Sequence, residues 1–531
     1  MITLESLYQD VVGGFSSDYP FMEFYEGDEK RVFYREDFQR KTRAVAALLE
    51  EKLSGIEKGR FIGIKHETHP FWFCVFYGLG MCGYNVMFLD ENANKTVLHN
   101  CISMGNLGAI IGKADDSDEV LCLDFDEIVS AMEGEPQNTK WGEMLCLCTS
   151  GTTGIAKTVV FKAATITRIQ RVLRATLLGH PCNLDSCYAL GVDRMRVLAT
   201  LPMRHIFGFE VPSIYWGFGC TFVFPKNQGV LELVRTIREE KIWSTYGVPA
   251  LWKAIFNVYK SRTEEVSEDT FEEFFGSQFK NGLIGGAKID EDLKPFLKTV
   301  GFQMGNTYGQ TETGGAISLG YLTEEKSMSG IPGYSGQLFN GHRAGVINSE
   351  GEWVRNGKGE LAVAGLNIYD GILRDGQFIS RQEEYGELQH TGDMFLIDGD
   401  DFYCMGRADN MIINDAGENI YVEELEEDFA FLKDVTSQYA AVGVNNRPIL
   451  AVSGSDEKED LLIAKIADVN RTLPHYKRVE NVYVVSEKLP VTSKNEVDRK
   501  AIEETITLWK RENADSVRTY NLRKMSRNIK A

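Results

Sequence analysis

The sequence predicts an α/β protein with a large N-terminal domain of layered sheets and helices, a β-rich distal part, and a small mobile α+β C-terminal domain. Two observations predict this class. Short apolar strand patterns alternate with helical patterns through the first part of the chain. Several of those strands then run directly into Gly/Thr-rich loops, and the pattern changes to short alternating elements after Arg407.

The length of 531 residues predicts more than one domain. We predict a large domain over residues 1–406, a hinge at 407–410, and a small C-terminal lid domain over 411–505. Residues 506–531 read as a polar, basic tail that forms a frayed helix.

The first elements follow from the spacing of apolar residues. Residues 36–53 repeat apolar side chains at helical intervals, and residues 60–65 read as a strand. The aromatic-rich stretch 71–80 is too short to span a membrane and predicts a buried core helix. Residues 108–112 and 120–123 predict further buried strands.

Composition excludes several classes of protein. The net charge of −20 argues against nonspecific binding to nucleic acid or to an anionic membrane surface. The N-terminal residues do not form a basic start followed by an apolar run, and no apolar segment is long enough to span a membrane. We therefore expect a cytoplasmic protein. The ten cysteines contain no CxxC pair, which favours buried, reduced thiols.

The stretch LCLCTSGTTGIAKT, residues 145–158, predicts a strand followed by a phosphate-binding loop. Glycines allow backbone N–H groups to approach an anion, hydroxyls add donors, and a lysine adds charge, so ATP is the expected ligand. Two interpretations remain open: a Walker-type loop with Ala156 in place of its second glycine, or another Ser/Thr/Gly-rich nucleotide loop. The loop residues are Thr149, Ser150, Gly151, Thr152, Thr153, Gly154 and Lys157.

Three later segments repeat an apolar strand followed by a Gly/Thr-rich loop, at residues 239–251, 282–288 and 302–315. Such loops cluster at one edge of a sheet, where adenine and ribose can lie against glycine backbone. Glu312 is the predicted Mg²⁺ ligand, because one carboxylate plus phosphate oxygens is a common arrangement in nucleotide sites. His205 follows a strand end, where α/β sheets place ligands.

The strand-rich region 359–403 carries Asp393 in HTGD, and Arg407 follows in GRADN. An aspartate can accept hydrogen bonds from both ribose hydroxyls, and an arginine can hold ribose or phosphate oxygens. We therefore predict that Asp393 and Arg407 contribute to the nucleotide site.

The ordered motifs resemble the adenylate-forming superfamily of acyl-CoA synthetases, peptide-synthetase adenylation domains and luciferases. The matching stretches are TSGTTGIAK, LPMRHIFGF, GGAK, NTYGQTETG, GELAVAG, HTGD, GRADNMI, GENIYVEELE, LPHYKR and LPVTSKNEVDRKAI. The resemblance implies that a carboxylate attacks the α-phosphate of ATP, releasing pyrophosphate, and that a thiol then attacks the acyl adenylate.

The resemblance also implies residue roles. Residues 150–157 would hold the β- and γ-phosphates, Thr311 would contact the α-phosphate, and Asp409 would be the hinge. The adenine pocket would be lined by Gly286, Asn306, Thr307 and Tyr308. The acyl pocket would include His205 as a gate, Glu210, Gly247, Val248 and Gly285.

Two positions depart from the family pattern. Glu496 stands where the family has the lysine that bridges carboxylate and α-phosphate, so either Lys494 replaces it as a catalytic residue or adenylation is impaired. Glu210 aligns with an aspartate that binds an α-amino group in peptide synthetases, although a carboxylate at a helix N-terminus is the favoured reading.

The expected small molecules are therefore a carboxylic acid, ATP, Mg²⁺ and a thiol. Residues 416–426, AGENIYVEELE, resemble the acyl-CoA synthetase version of this region, and no carrier domain follows, so coenzyme A is the expected thiol. A separate acyl carrier protein is the alternative. An adenylation-impaired homologue and a Walker-type NTPase, which would release ADP, also remain open.

Overall fold

The computed structural model describes residues 2–13, 20–114, 116–138, 140–150, 156–178, 195–287, 289–328, 330–365, 367–413, 419–455, 459–485, 487–492, 497–512 and 517–522. The chain divides into two compact units. Unit 1 comprises Met1–Gly345, Ala362–Thr391 and Ile397–Tyr403, and unit 2 comprises Val346–Leu361, Gly392–Leu396 and Cys404–Ala531.

The described part of unit 1 combines two sheets with helices. Its α-helices are Leu4–Val12, Arg35–Lys52, Trp72–Met81, Lys95–Gly105, Phe125–Val129, Ala163–Leu178, Ile206–Trp216, Val230–Glu239, Pro249–Lys260, Glu268–Phe275, Leu293–Thr299 and Arg381–Tyr385. A 3₁₀ turn, Thr311–Thr313, follows the strand Gln303–Gln310.

In the first sheet of unit 1, a parallel centre is flanked by antiparallel strands. Neighbouring strands, in order, are Tyr334–Leu338, Gly315–Tyr321, Gln303–Gln310, Asn281–Gly285, Ser244–Gly247, Arg196–Leu198, Thr221–Val223, Pro20–Glu26 and Glu29–Tyr34. The carboxyl ends of parallel strands meet at one edge of a sheet, so the loops after Gly247 and Gly285 lie at the same edge.

The second sheet of unit 1 holds the strand that leads into the predicted phosphate loop. Its order is Gln377–Ser380, Gly371–Arg374, Ala156–Lys162, Met144–Ser150, Asn85–Phe88, Phe61–Ile64, Ala109–Gly112 and Leu121–Asp124. Met144–Ser150 runs parallel to Asn85–Phe88 and antiparallel to Ala156–Lys162.

The helix Trp72–Met81 lies in the core, and all ten of its residues are buried. Its aromatic rings contact other elements, with Phe73 stacked on Phe209 at 5.5 Å between ring centroids. A buried aromatic ring removes a large apolar area from water, which explains why a helix apolar on every side is stable here. In the part of the chain that the structure describes, no helix is long and apolar enough to cross a membrane.

Unit 2 contains a four-stranded sheet in the order Thr436–Val444, Arg447–Ser455, Asn481–Val485, Val517–Asn521. Its helices are Val422–Asp428, Leu432–Val435, Glu459–Thr472 and Arg499–Glu512. The remaining strands that lie wholly or partly in unit 2 are His342–Ile347, Trp353–Val354, Gly357–Gly365, Gln389–Asp398, Asp401–Arg407, Ile412–Ile413 and Asn419–Ile420.

Most sequence-based elements are confirmed, including the core helix and the strands at Phe61–Ile64 and Ala109–Gly112. Asn306, Thr307 and Tyr308 lie in the strand Gln303–Gln310, which pairs with Gly315–Tyr321. One prediction is wrong. The tail is not helical throughout, since Val517–Asn521 pairs antiparallel with Asn481–Val485.

Candidate functional site

The predicted phosphate loop connects two antiparallel strands, and Lys157 is the second residue of the second strand, Ala156–Lys162. Thr149 pairs with Lys157, and Ser150 pairs with Ala156. Gly151, Thr152, Thr153 and Gly154 lie outside the described residues. Lys157 Nζ lies 3.2 Å from Glu312 Oε1. The fold thus brings the lysine of the phosphate loop to the predicted Mg²⁺ ligand, 155 residues later in the chain.

The turn that carries Thr311 and Glu312 is held by backbone hydrogen bonds. Gly314 N donates to Thr311 O at 3.0 Å, and Tyr369 N donates to Glu312 O at 2.9 Å. The Tyr369 ring also lies 5.6 Å from Lys157 Nζ. Sequence reasoning did not identify Tyr369, because its position beside this turn depends on a contact distant along the chain.

The donor set at Glu312 fits a hard cation in a nucleotide site. The carboxylate is 18% exposed and offers oxygen atoms, the ligand type that Mg²⁺ prefers. Among the described residues, no group of three or more His, Cys, Asp or Glu side chains could hold a metal ion. Glu312 therefore suits the arrangement in which phosphate oxygens complete the coordination.

The predicted adenine pocket lies at the edge formed by two neighbouring strands. Thr307 pairs with Gly285, and Gly286 follows with φ of 81°, a conformation that favours glycine. Asn306 Nδ2 donates to Tyr334 O at 2.6 Å, and Thr307 Oγ1 donates to Ile284 O at 3.2 Å. Asn306 thus joins its strand to Tyr334–Leu338 and Thr307 joins it to Asn281–Gly285, while the Tyr308 side chain is half-buried.

Three of the residues predicted for the acyl pocket lie on or directly after two neighbouring strands: Gly247 pairs with Ile284, the residue before Gly285, and Val248 follows Gly247. A Cβ built on Gly285 would lie 2.5 Å from Thr307 Oγ1 and 3.7 Å from the Phe207 ring. Phe207 also lies 5.8 Å from Tyr246, between ring centroids. Phe207, which the sequence analysis did not single out, is thus a further candidate wall beside Gly285.

His205 lies at the surface, where it precedes the helix Ile206–Trp216. Its Nε2 is 2.5 Å from Arg204 Nη1, and the Arg204 side chain is paired with Glu91. Gly247 is buried at the end of its strand, and Val248 precedes the helix Pro249–Lys260.

Glu210 is not at a helix N-terminus, so the favoured sequence interpretation is wrong. It lies more than one turn inside Ile206–Trp216 and is only 3% exposed. Its carboxylate accepts a hydrogen bond from Ala316 N at 3.3 Å, and a Cβ on Gly315 would overlap Glu210 Oε2. Burial without a nearby cation raises the pKa of Glu210 to about 8.

In unit 2, Asp393 and Arg407 form an ion pair, with Arg407 Nη1 3.0 Å from Asp393 Oδ1. Gly392 has φ of 69° and lies against the Arg407 guanidinium, where a side chain would crowd it. Asp409, the predicted hinge, is exposed and lies 3.7 Å from Arg407 Nη2. Lys494 and Glu496 lie outside the described residues.

The family sequence pattern described as "AMP-binding enzyme" matches residues 11–373. A feruloyl-CoA synthase from Amycolatopsis is 22% identical over 404 residues, which cover 71% of this chain and 74% of that protein. A 2-succinylbenzoate–CoA ligase from Bacillus cereus is 25% identical over 402 residues, covering 70% and 73%.

Solved structures share the fold. O-succinylbenzoate CoA synthetase (MenE) from Bacillus subtilis, in complex with the acyl-adenylate intermediate, has a TM-score of 0.75 at 17% identity, covering 94% of this chain and 97% of that chain. ATP-bound MatB from Rhodopseudomonas palustris has a TM-score of 0.75 at 17% identity, covering 94% and 98%. Because the family pattern matches more than half of its length, the chain belongs to the family of AMP-binding enzymes.

Proposed function

We propose that this enzyme joins a carboxylic acid to coenzyme A. It is an AMP-forming acid–thiol ligase: ATP activates the acid as an acyl adenylate, pyrophosphate leaves, and the acyl group passes to a thiol. The observation that carries the site assignment is the contact between Lys157 Nζ and Glu312 Oε1. It places a cation and a carboxylate at one point, as binding of a polyphosphate with its metal ion requires.

Within unit 1, we assign Lys157 to the β- and γ-phosphates, Glu312 to Mg²⁺ and Thr311 to the α-phosphate. Mg²⁺, when bound, supplies positive charge to the phosphate oxygens. The ammonium of Lys157 would add positive charge to the same phosphates, and the turn hydrogen bonds keep Glu312 in position before the nucleotide arrives. Such prior positioning lowers the cost of stabilising the charge that develops on pyrophosphate.

Within unit 2, we assign the ribose hydroxyls to Asp393. Its ion pair with Arg407 orients the carboxylate as an acceptor. Exposed Asp409 is the proposed hinge for the small domain between the two half-reactions.

The environment of Glu210 bears on the acid that is used. Because its pKa is raised to about 8, its carboxyl group is neutral at pH 7 and offers no anion to an α-ammonium group. We therefore propose an acid without an α-amino group, with Gly285 and Phe207 as walls of its pocket. A cytoplasmic location agrees with the eight described cysteines, all of which are free thiols.

Acid-dependent exchange of pyrophosphate into ATP tests the first half-reaction, with a panel of aliphatic, aromatic and amino acids. We expect exchange with one class of non-amino acid, AMP as the product, and loss of free thiol when coenzyme A is added. Formation of ADP would contradict the assignment. If a purified acyl carrier protein, rather than coenzyme A, accepts the acyl group, the thiol assignment is wrong.

The position of Glu496 supports a second candidate, a homologue that binds nucleotide but is impaired in adenylation. Lys494 is our proposed replacement for the bridging lysine, because side chains two residues apart in any extended chain point the same way and a lysine is long and flexible. Lys494→Ala should abolish exchange, whereas Lys488→Ala, at a nearby exposed lysine, should not. Full activity of Lys494→Ala would refute the replacement, and ATP binding without exchange in the wild type would favour the impaired homologue.

A further inference from the structure

The ammonium group of Lys157 contacts the carboxylate that we assign to the metal ion. Lys157 Nζ lies 3.2 Å from Glu312 Oε1, and the two side chains are 37% and 18% exposed. Solvent reaches both groups, so dissolved cations and nucleotides have access to them. A carboxylate oxygen that already pairs with an ammonium group is less available to a second cation, because the two positive charges repel each other.

The Tyr369 ring gives Lys157 a second attractive contact at the same place. The ring lies 5.6 Å from Lys157 Nζ, within the range at which the negative face of an aromatic ring attracts a cation. Tyr369 is buried, and its backbone N–H donates to Glu312 O at 2.9 Å. The ring is therefore fixed beside the turn that carries Glu312, and the carboxylate and the ring together favour one position of the ammonium group.

Glu312 has little help from other acidic side chains in binding a metal ion. Within the described part of the chain, no cluster of three or more His, Cys, Asp or Glu side chains could hold one. A single carboxylate that also pairs with Lys157 is a weak site for a divalent cation. Phosphate oxygens change both conditions, because they are further ligands for the cation and they attract the ammonium group.

We propose, on the basis of the proposed acid–thiol ligase function, that Lys157 competes with the metal ion for Glu312 until ATP binds. Lys157 then pairs with phosphate oxygens and leaves Glu312 Oε1 to the metal ion. Lys157 thus weakens metal binding in the absence of nucleotide and strengthens nucleotide binding. ATP and the metal ion consequently bind cooperatively, each raising the affinity for the other by the same factor.

Binding of Mn²⁺ to the full chain without nucleotide measures the competition and needs no catalysis. The electron paramagnetic resonance signal of free Mn²⁺ gives the dissociation constant. Lys157→Met should tighten binding at one site about five- to tenfold, because the competing charge is gone. Lys157→Arg keeps the charge and should bind Mn²⁺ as weakly as the wild type. Lys162→Met is the matched control, because it removes an exposed lysine at the other end of the same strand and should change nothing.

Binding of ATP in the presence of EDTA, measured by calorimetry, should change in the opposite direction. Lys157→Met should weaken this metal-free binding about tenfold, because it removes a charge-assisted contact to the phosphates. Lys162→Met should leave it unchanged. A general disturbance of the fold would weaken the binding of both ligands, so the opposite signs distinguish competition from a structural defect.

The double variant Lys157→Met, Glu312→Gln assigns the Mn²⁺ site, and it should lose the tightened binding. Four results would overturn the proposal: unchanged or weaker Mn²⁺ binding in Lys157→Met, equal tightening in Lys162→Met, tightening that persists in the double variant, or undiminished metal-free ATP binding in Lys157→Met. A wild-type protein without acid-dependent pyrophosphate exchange would instead contradict the proposed function. That result would leave both binding measurements unaffected.

Discussion

Glu210 makes the stability of unit 1 depend on pH in an unusual direction. Its carboxyl group has a pKa of about 8 in the folded protein against 4.5 in the unfolded chain. Between these values the folded state keeps a proton that the unfolded state releases, so stability falls as the pH rises. At 1.36 kcal/mol per pH unit, the difference between these two pKa values corresponds to about 5 kcal/mol of unfolding free energy. This contribution to stability is present below pH 4.5 and is lost above pH 8.

Glu210→Gln removes this dependence. The glutamine oxygen can still accept from Ala316 N, and the side chain has nearly the same shape. Above pH 8 the variant should be more stable than the wild type by about 2 to 4 kcal/mol, because its buried amide nitrogen costs about 1 to 3 kcal/mol of the gain. Near pH 5, where the folded wild type still keeps this proton, the same amide cost should leave the variant less stable than the wild type by about 0 to 2 kcal/mol.

Urea unfolding followed by tryptophan fluorescence at pH 5 to 9 measures this difference. Five of the seven tryptophans, at positions 72, 141, 216, 243 and 252, belong to unit 1, so the signal reports that unit. Glu232→Gln is the matched control. Hydrogen bonding to Arg235 lowers the pKa of Glu232, so this variant should lose stability at neutral pH. Parallel pH profiles for the wild type and Glu210→Gln would refute the reasoning.

Three further predictions follow from contacts in unit 1. Lys157→Met should lower kcat/KM for ATP about 10- to 100-fold in pyrophosphate exchange, and normal kinetics would remove Lys157 from the site. Gly315→Ala should destabilise the chain by about 2 kcal/mol or more in urea unfolding, because φ is 108° and the new methyl group would overlap Glu210; an unchanged midpoint would contradict this close packing. Burial lowers the pKa of His342 from 6.5 to about 4, so stability falls as the pH drops through that window. His342→Gln should remove about 3 kcal/mol of that acid dependence, and an unchanged acid slope would refute it.

Most helices and strands were predicted from the spacing of apolar residues, because that spacing depends only on residues close in sequence. The helix Trp72–Met81 and the strand Phe61–Ile64 were predictable for this reason. The tail was misread because its strand is decided by pairing with Asn481–Val485.

The candidate site residues also divide into those that local motifs identify and those whose position depends on distant contacts. Lys157 and Glu312 could be identified separately from their motifs, but their contact spans 155 residues and is visible only in the fold. Tyr369 and Phe207 were not identified from the sequence, because a single aromatic residue in an apolar stretch does not distinguish a site residue from a core residue. Glu210 was recognised as unusual, yet its burial against Ala316 depends on a strand 106 residues away.

These distant contacts also explain how the turn that carries Thr311 and Glu312 is positioned. The carbonyl of Glu312 accepts from Tyr369 N on one side, and the segment after the turn is held by the hydrogen bond from Ala316 N to Glu210 on the other. The turn itself is short and is followed by Gly314 and Gly315, so the segment after it has little intrinsic preference for one conformation. Its geometry therefore depends on the Tyr369 backbone N–H and on the Glu210 carboxyl group. A substitution that removes the acceptor at Glu210 should alter ATP kinetics without removing any group assigned to the nucleotide.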